Sequence, residues 1–296
     1  MKKILSTLVF VAITLIMANA QPGKMAAMTG KVKNGYDFWL YAPQSYFDKP
    51  DTKQPVIIYL HGARLCGRGL RSFHKYLTLD AIAKGRNIEA MVIAPQNNGG
   101  GWKPEKLNNI LEWVVKNYNV DTTRIYVVGM SLGGYGAMDF VGTYPHKIAA
   151  AMALCGGCTL NDVQGLGTLP FWIIHGTGDR AVTVGQSKKV VNALKEQGND
   201  KLLRFDWLPG ANHGQLARIY YLEQTYQWLF SHSLNDTPRK VNRDIVINLN
   251  VMSNAYKGLN SRGTITKVSS IKTPTIVEPQ NDDDDDDDGE IDAEEY

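Results

Sequence analysis

Short continuous apolar runs alternate along the chain with longer stretches whose apolar positions recur every three or four residues. The runs at 55–60, 90–94, 125–128, 148–154 and 170–174 are aliphatic with few polar breaks, the pattern of strands covered on both faces. Between them, 104–118 carries Leu107, Ile110, Leu111, Val114 and Val115 at helical spacing, with Pro104 where a first turn tolerates proline. Helices are also expected near 78–84, 132–143, 184–197 and 215–230, and a strand at 202–208. Ahead of these, 24–33 and 35–42 read as antiparallel strands joined at Asn34-Gly35, a dipeptide suited to hairpin turns. The whole is an α/β pattern: a doubly wound, mostly parallel sheet of eight strands with its ligand site at their carboxyl ends.

The ends of the chain follow other rules. Lys2 and Lys3, an apolar run over 4–17 and Ala18-Asn19-Ala20 form a signal peptide over 1–20, so the mature protein is expected to be exported, periplasmic or secreted, after cleavage near Ala20. The catalytic body is expected over 21–233. A short β-like or irregular appendage over 234–277 follows, in which 239–251 alternates like an exposed strand or hairpin arm. An acidic tail over 278–296, with seven consecutive aspartates at 282–288, is expected to be disordered and to associate with cations only weakly.

Charge and cysteine usage narrow the picture. The net charge of +3 hides a segregation: 12 acidic residues and no basic one lie from Glu278 onward, leaving 17 acidic against 32 basic before it. The basic body reads either as a solvated surface that the tail partly neutralises or as a fit to anionic surroundings. No stable membrane anchor and no nucleic-acid partner are expected. Cys155-Gly-Gly-Cys158 offers a small-loop disulfide, or one of the pair joins Cys66; without a second Cys/His pair no metal site is expected.

The chemistry gathers at Gly129-Met-Ser131-Leu-Gly133, set between a predicted strand and a predicted helix. In that context G-x-S-x-G is a nucleophile elbow, a tight turn that lifts a serine hydroxyl to the sheet edge. Serine needs a base and a group to orient that base. Of six histidines, His213 alone lies in a glycine-rich loop between the last strand and the last helix; His61, His74, His146, His175 and His232 read as structural. Asp179 ends the preceding strand, with Asp206 and Asp162 as rivals. The order Ser131, Asp179, His213 is nucleophile, acid, base. Two amides should hold the oxyanion: Leu132 N–H, and Ala63 N–H or, failing it, Arg64 N–H. His61 is expected to brace that loop. Trp102 reads either as a stacking platform for a sugar or aromatic acyl group or as core packing. Arg64, Arg68 and Arg71 suit an acidic substrate or are solvated surface.

These residues carry a resemblance. Tyr59-Leu-His-Gly62, Gly129-Met-Ser-Leu-Gly-Gly134, Trp172-Ile-Ile-His-Gly-Thr-Gly-Asp179 and His213-Gly214 together resemble the α/β-hydrolase superfamily. Within it, the small secreted serine esterases are nearest: the phospholipase/carboxylesterase, feruloyl-esterase and polyhydroxybutyrate-depolymerase-like group. The resemblance spans about 23–233. It implies ester hydrolysis through an acyl-enzyme, without a cofactor, on short-chain or polysaccharide-linked feruloyl or acetyl esters. Only about 15 residues separate the strands at 148–154 and 170–174, too few for a large cap. The alternatives are a prolyl-oligopeptidase-like serine peptidase and a non-catalytic binding protein on the same fold.

Overall fold

The computed structural model describes residues 23–273. The expected signal peptide, the acidic tail and its cation association lie outside the described residues. β1 (Lys24–Met28) and β2 (Phe38–Ala42) pair antiparallel, followed by α1 (Gln44–Asp48) and β3 (Gln54–Leu60). Next come α2 (Gly69–Phe73), α3 (Leu77–Ala83), β4 (Met91–Pro95), α4 (Pro104–Asn117), β5 (Val120–Met130) and α5 (Leu132–Thr143). β6 (Ala150–Leu154), β7 (Phe171–Gly176), α6 (Gly185–Glu196), β8 (Leu203–Leu208) and α7 (Glu223–Phe230) complete the body. α8 (Leu249–Ser253) and β9 (Thr266–Val268) lie beyond it.

One sheet takes all nine strands in the order β8-β7-β6-β5-β3-β4-β2-β1-β9. β3 to β8 run parallel, while β2 opposes both β1 and β4. The chain leaves β3 for β4 on one side, then returns to β5 on the other and continues outward. That reversal opens a crevice at the carboxyl ends of β3 and β5, where doubly wound sheets bind their ligands.

Both faces of the sheet are covered. Along β3, Ile57 and Tyr59 join a core containing α3, α7 and the residues after β8, whereas Val56, Ile58 and Leu60 join one containing α4, α5 and α6. This period-two division is why the sequence reads as unbroken apolar runs: neither face is left to water.

Eight strands lie where the sequence places them and the structure adds a ninth, but the tight hairpin at Asn34-Gly35 does not form. β1 ends at Met28 and β2 begins at Phe38, so Asn34 and Gly35 sit in a turn, closed by Gly35 N–H to Val32 O, inside a longer connection. β9 pairs parallel with β1 over Lys24–Ala26 and Thr266–Val268, covering what would otherwise be a bare sheet edge. The alternating stretch over 239–251 forms no strand; it is irregular up to α8, which Asn248 caps by accepting the Val251 N–H. Its apolar positions serve packing instead, with Ile247 buried and Val241, Ile245 and Val251 partly buried against the core. Arg239 donates to the carbonyls of Ile148, Ala149 and Thr168, so this segment is strapped to the body. The helix expected over 215–230 is two pieces, a 3₁₀ run (His213–Tyr221) and α7, separated by extended Leu222. Thr225 Oγ1 and Tyr226 Oη donate to the Ile219 and Tyr220 carbonyls, offsetting backbone bonds lost at the break. Among the described residues, no helix is long and apolar enough to cross a membrane.

Candidate active site

Ser131 stands between β5 and α5 with φ 59° and ψ −122°. A positive φ on a residue with a side chain costs about 1–3 kcal/mol and persists only where neighbours hold it. They hold it tightly here. A Cβ on Gly129 would collide with the Gly133 carbonyl, and one on Gly133 with the Leu60 carbonyl. The Ser131 N–H donates to Leu154 O at 2.9 Å, tying the turn to the end of β6. Glycines therefore permit the turn, and the strands on either side impose it.

The acid and base come from the far side of the sheet. Asp179 follows β7 and His213 follows β8, and their loops are stitched together by Gly178 N–H to Ala211 O (3.1 Å) and Gly210 N–H to Thr177 Oγ1 (2.8 Å). His213 Nδ1 lies 2.6 Å from Asp179 Oδ2. The other carboxylate oxygen accepts the Ala181 and Val182 N–H groups, each at 2.9 Å. Burial alone would raise the pKa of Asp179, but the His213 ring and the two amides outweigh it and keep the carboxyl below its usual range. The carboxylate is thus fully buried, ionised and aimed at an imidazole that is 26% exposed.

Cys155 links these parts. Its sulfur lies beside the Ser131 amide, and within 4.8 Å of both the Asp179 carboxylate and a His213 ring nitrogen. The Ser131 backbone, the Asp179 carboxylate and the His213 ring therefore all border the Cys155 thiol at the sheet's carboxyl edge. The thiol, carboxylate and imidazole are also the set among the described residues with spacing that could hold a metal ion. All three cysteines are free, so neither expected disulfide forms. Burial pushes the Cys155 thiol far above its ordinary range.

Two rival acids are spent elsewhere. Asp206 accepts Trp172 Nε1–H (2.6 Å) and Arg204 Nε–H (3.2 Å), and exposed Asp162 accepts the Gln164 N–H. Ala63 and Arg64 open a 3₁₀ turn after β3, both exposed. Ala63 and Leu132 each begin a helical segment, where amides lack a partner one turn back. Gly62 packs against Ser131: a Cβ there would stand 3.2 Å from the serine Cβ.

His61 braces this loop from beneath. Asn97 N–H donates to its Nε2 (3.1 Å), which makes Nδ1 the protonated nitrogen, donating to Gly62 O (2.9 Å). Burial lowers its pKa to about 4, so the ring is neutral at physiological pH. Trp102 belongs to the core and offers no stacking face to a ligand. It is 4% exposed, donates to His61 O at 3.3 Å and packs against Gly136.

Sequence reasoning missed the support behind the acid. His175 is fully buried, with Nε2 at 2.9 Å from Val182 O and 3.5 Å from Asp179 Oδ2. Its Nδ1 lies 2.8 Å from Ser187 Oγ, which also reaches Gly156 O at 2.7 Å. The signal available was a histidine directly before the Gly-Thr-Gly-Asp179 turn.

Comparisons with known proteins bear on the fold and on the chain's relatives. A thermostable esterase of known structure superposes with a TM-score of 0.57 at 25% identity, covering 67% of this chain and 59% of its own. A mutant of the feruloyl esterase module from Clostridium thermocellum, complexed with sinapinate, superposes with a TM-score of 0.52 at 18% identity, covering 69% and 87%. The fold is that of the α/β-hydrolases. A model of the prolyl oligopeptidase family matches residues 159–236, the segment holding Asp179 and His213. Acetylxylan esterase A of Emericella nidulans is 24% identical over 175 residues, 52% of this chain and 54% of that enzyme. The bifunctional acetylxylan esterase/xylanase XynS20E of Neocallimastix patriciarum is 26% identical over 171 residues, 55% of this chain and 24% of that one. The chain thus spans about half the length of the first of these relatives.

Proposed function

We propose that this protein is an exported serine carboxylic-ester hydrolase acting through an acyl-enzyme on short-chain or polysaccharide-linked acetyl or feruloyl esters. One observation carries the reading: a buried carboxylate 2.6 Å from an imidazole, beside a serine held in a strained turn. Ser131 Oγ attacks the ester carbonyl while His213 takes its proton. The Leu132 and Ala63 amides, with Arg64 N–H as the alternative donor, receive the oxyanion. His213 then protonates the departing alcohol, and water, deprotonated by the same ring, releases the acid from Ser131. Asp179 holds the ring with Nδ1 protonated and steadies the imidazolium.

The named activities of the acetylxylan and feruloyl esterases favour a sugar-linked ester. The short connection over 155–170 also fits an accessible site, since it contains only a 3₁₀ turn at Gln164–Gly167. Exposed Arg64 suits an acidic group near the ester. The basic-then-apolar start of the chain supports export. A second reading, a serine peptidase, rests on the match of residues 159–236 to the prolyl oligopeptidase family.

The test compares p-nitrophenyl acetate with the matching anilide for wild type and Ser131→Ala. Ester turnover that vanishes in the variant, with little anilide turnover, is expected. Faster anilide cleavage would favour the peptidase, and equal ester rates in both proteins would leave a binding protein.

A further inference from the structure

The carboxyl end of β4 feeds a cleft that the reaction above does not use. It measures about 450 Å³ and is lined by Tyr36 and Asp37 from the β1–β2 connection, Gln96 and Asn98 after β4, and Lys103 and Lys106 at the start of α4. β4 neighbours β3 and β3 neighbours β5, so two strand spacings, about 10 Å, separate this cleft from the elbow. The link is rigid. Beside Gln96, the Asn97 N–H donates to His61, and the Asn97 carbonyl accepts the Gly67 N–H at 3.0 Å.

The lining speaks for a hydroxyl-rich ligand. Gln96 is 3% exposed; its amide nitrogen donates to Leu65 O and Asn97 O, each at 2.8 Å, while its Oε1 is buried with no partner. A buried acceptor left unmade costs about 1–3 kcal/mol, and a sugar hydroxyl is a donor of the right kind. Tyr36 forms one wall. Its ring is fixed by the edge of Trp102, with centroids 5.1 Å apart, and its hydroxyl accepts the Lys103 N–H at 2.9 Å. Lys106 Nζ lies 5.2 Å from the same ring centroid. Across from them, exposed Asn98 and three glycines at 99–101 present backbone with no bulk. An aliphatic acyl chain would want an apolar slot instead.

We infer that this cleft holds sugar units adjoining the esterified one, on the alcohol side of the bond, while the acyl group meets Ser131. The inference rests on the proposed esterase reading, and the polymer backbone would then run along the sheet edge from β4 towards β5.

Gly101 supplies a clean test. Its backbone lies outside the left-handed region, and a Cβ built there meets nothing within 4 Å. In the full chain, Gly101→Leu fills cleft space and leaves the fold alone. Its kcat/KM for acetylated xylotetraose should fall about tenfold or more, chiefly through KM, with p-nitrophenyl acetate hydrolysis unchanged. Lys106→Ala should shift the same ratio in the same direction, which separates a filled cleft from a damaged fold. Calorimetry of unesterified xylotetraose with Ser131→Ala should show binding that Gly101→Leu abolishes. Unchanged oligosaccharide kinetics in both cleft variants, or no heat of binding, would overturn the assignment. If Ser131→Ala kept full ester turnover, the catalytic reading would fail, while the heat of binding would still judge the cleft.

Discussion

The two flanks of the elbow are built on opposite principles. On the β6–β8 side the Asp179 carboxylate is buried and fully partnered: both of its oxygens are bonded, and His175, Ser187 and Gly156 form a buried chain behind it. On the β3–β4 side the loops are exposed and glycine-rich, with one deep anchor at His61 and an unpartnered oxygen on Gln96. The first arrangement fixes a proton-transfer geometry, which tolerates little movement. The second leaves one buried acceptor, Gln96 Oε1, without a partner at the floor of an otherwise open cleft. In the proposed reading, chemistry and recognition fall on different sides of one serine.

Removing the charge on the fixed side should have the largest effect. Asp179→Asn should leave the fold intact and lower kcat by roughly a thousandfold or more, because His213 loses the partner that sets its tautomer. An unchanged rate would mean that the buried pair is structural. His175→Ala should cost about 2 kcal/mol of stability by stranding the Val182 carbonyl and removing one of the two partners of Ser187 Oγ. It should also lower kcat more than it raises KM, measured by urea unfolding and ester kinetics. Loss of stability with untouched kcat would separate His175 from the acid.

Acidification tests the open flank's anchor. His61 is neutral in the fold, with a pKa near 4, and takes up a proton near pH 6.5 once unfolded. The unfolded state therefore binds more protons between those limits. Stability should fall by about 1.4 kcal/mol for each pH unit lost in that window. Burial moves His175 and His232 in the same direction. Urea midpoints at neutral pH and near pH 5 check this, and a flat profile would contradict it. A smaller effect is expected at the strap: Arg239→Ala should cost about 1–2 kcal/mol, seen as a lower Tm, with kcat on small esters unchanged.

Much of the site was legible because its determinants are local. Gly129, Ser131 and Gly133 are close in sequence and meet in one turn, and Asp179 and His213 each sit in a glycine-bearing loop directly after a strand. The central strands β3 to β7 were legible for the same reason, as runs with few polar breaks. What depended on distant partners was not. The choice for Trp102 between a stacking platform and core packing stayed open because nothing nearby in sequence announces Gly136 beneath it. The alternation over 239–251 mimics a strand, yet those residues pack on existing elements, and the three-residue β9 is too short to carry a period. The helix break at Leu222 is stabilised by Thr225 and Tyr226 reaching back across it. His175 and Ser187 are 12 residues apart, and only the fold makes them one network.

The central claim is that Ser131 is an activated nucleophile, and covalent labelling tests it most directly. Incubated with a fluorophosphonate and mapped by peptide mass spectrometry, the wild-type protein should carry one adduct, on Ser131, with labelling slowed sharply in Asp179→Asn. No adduct, or one on another residue that persists in Ser131→Ala, would contradict the account.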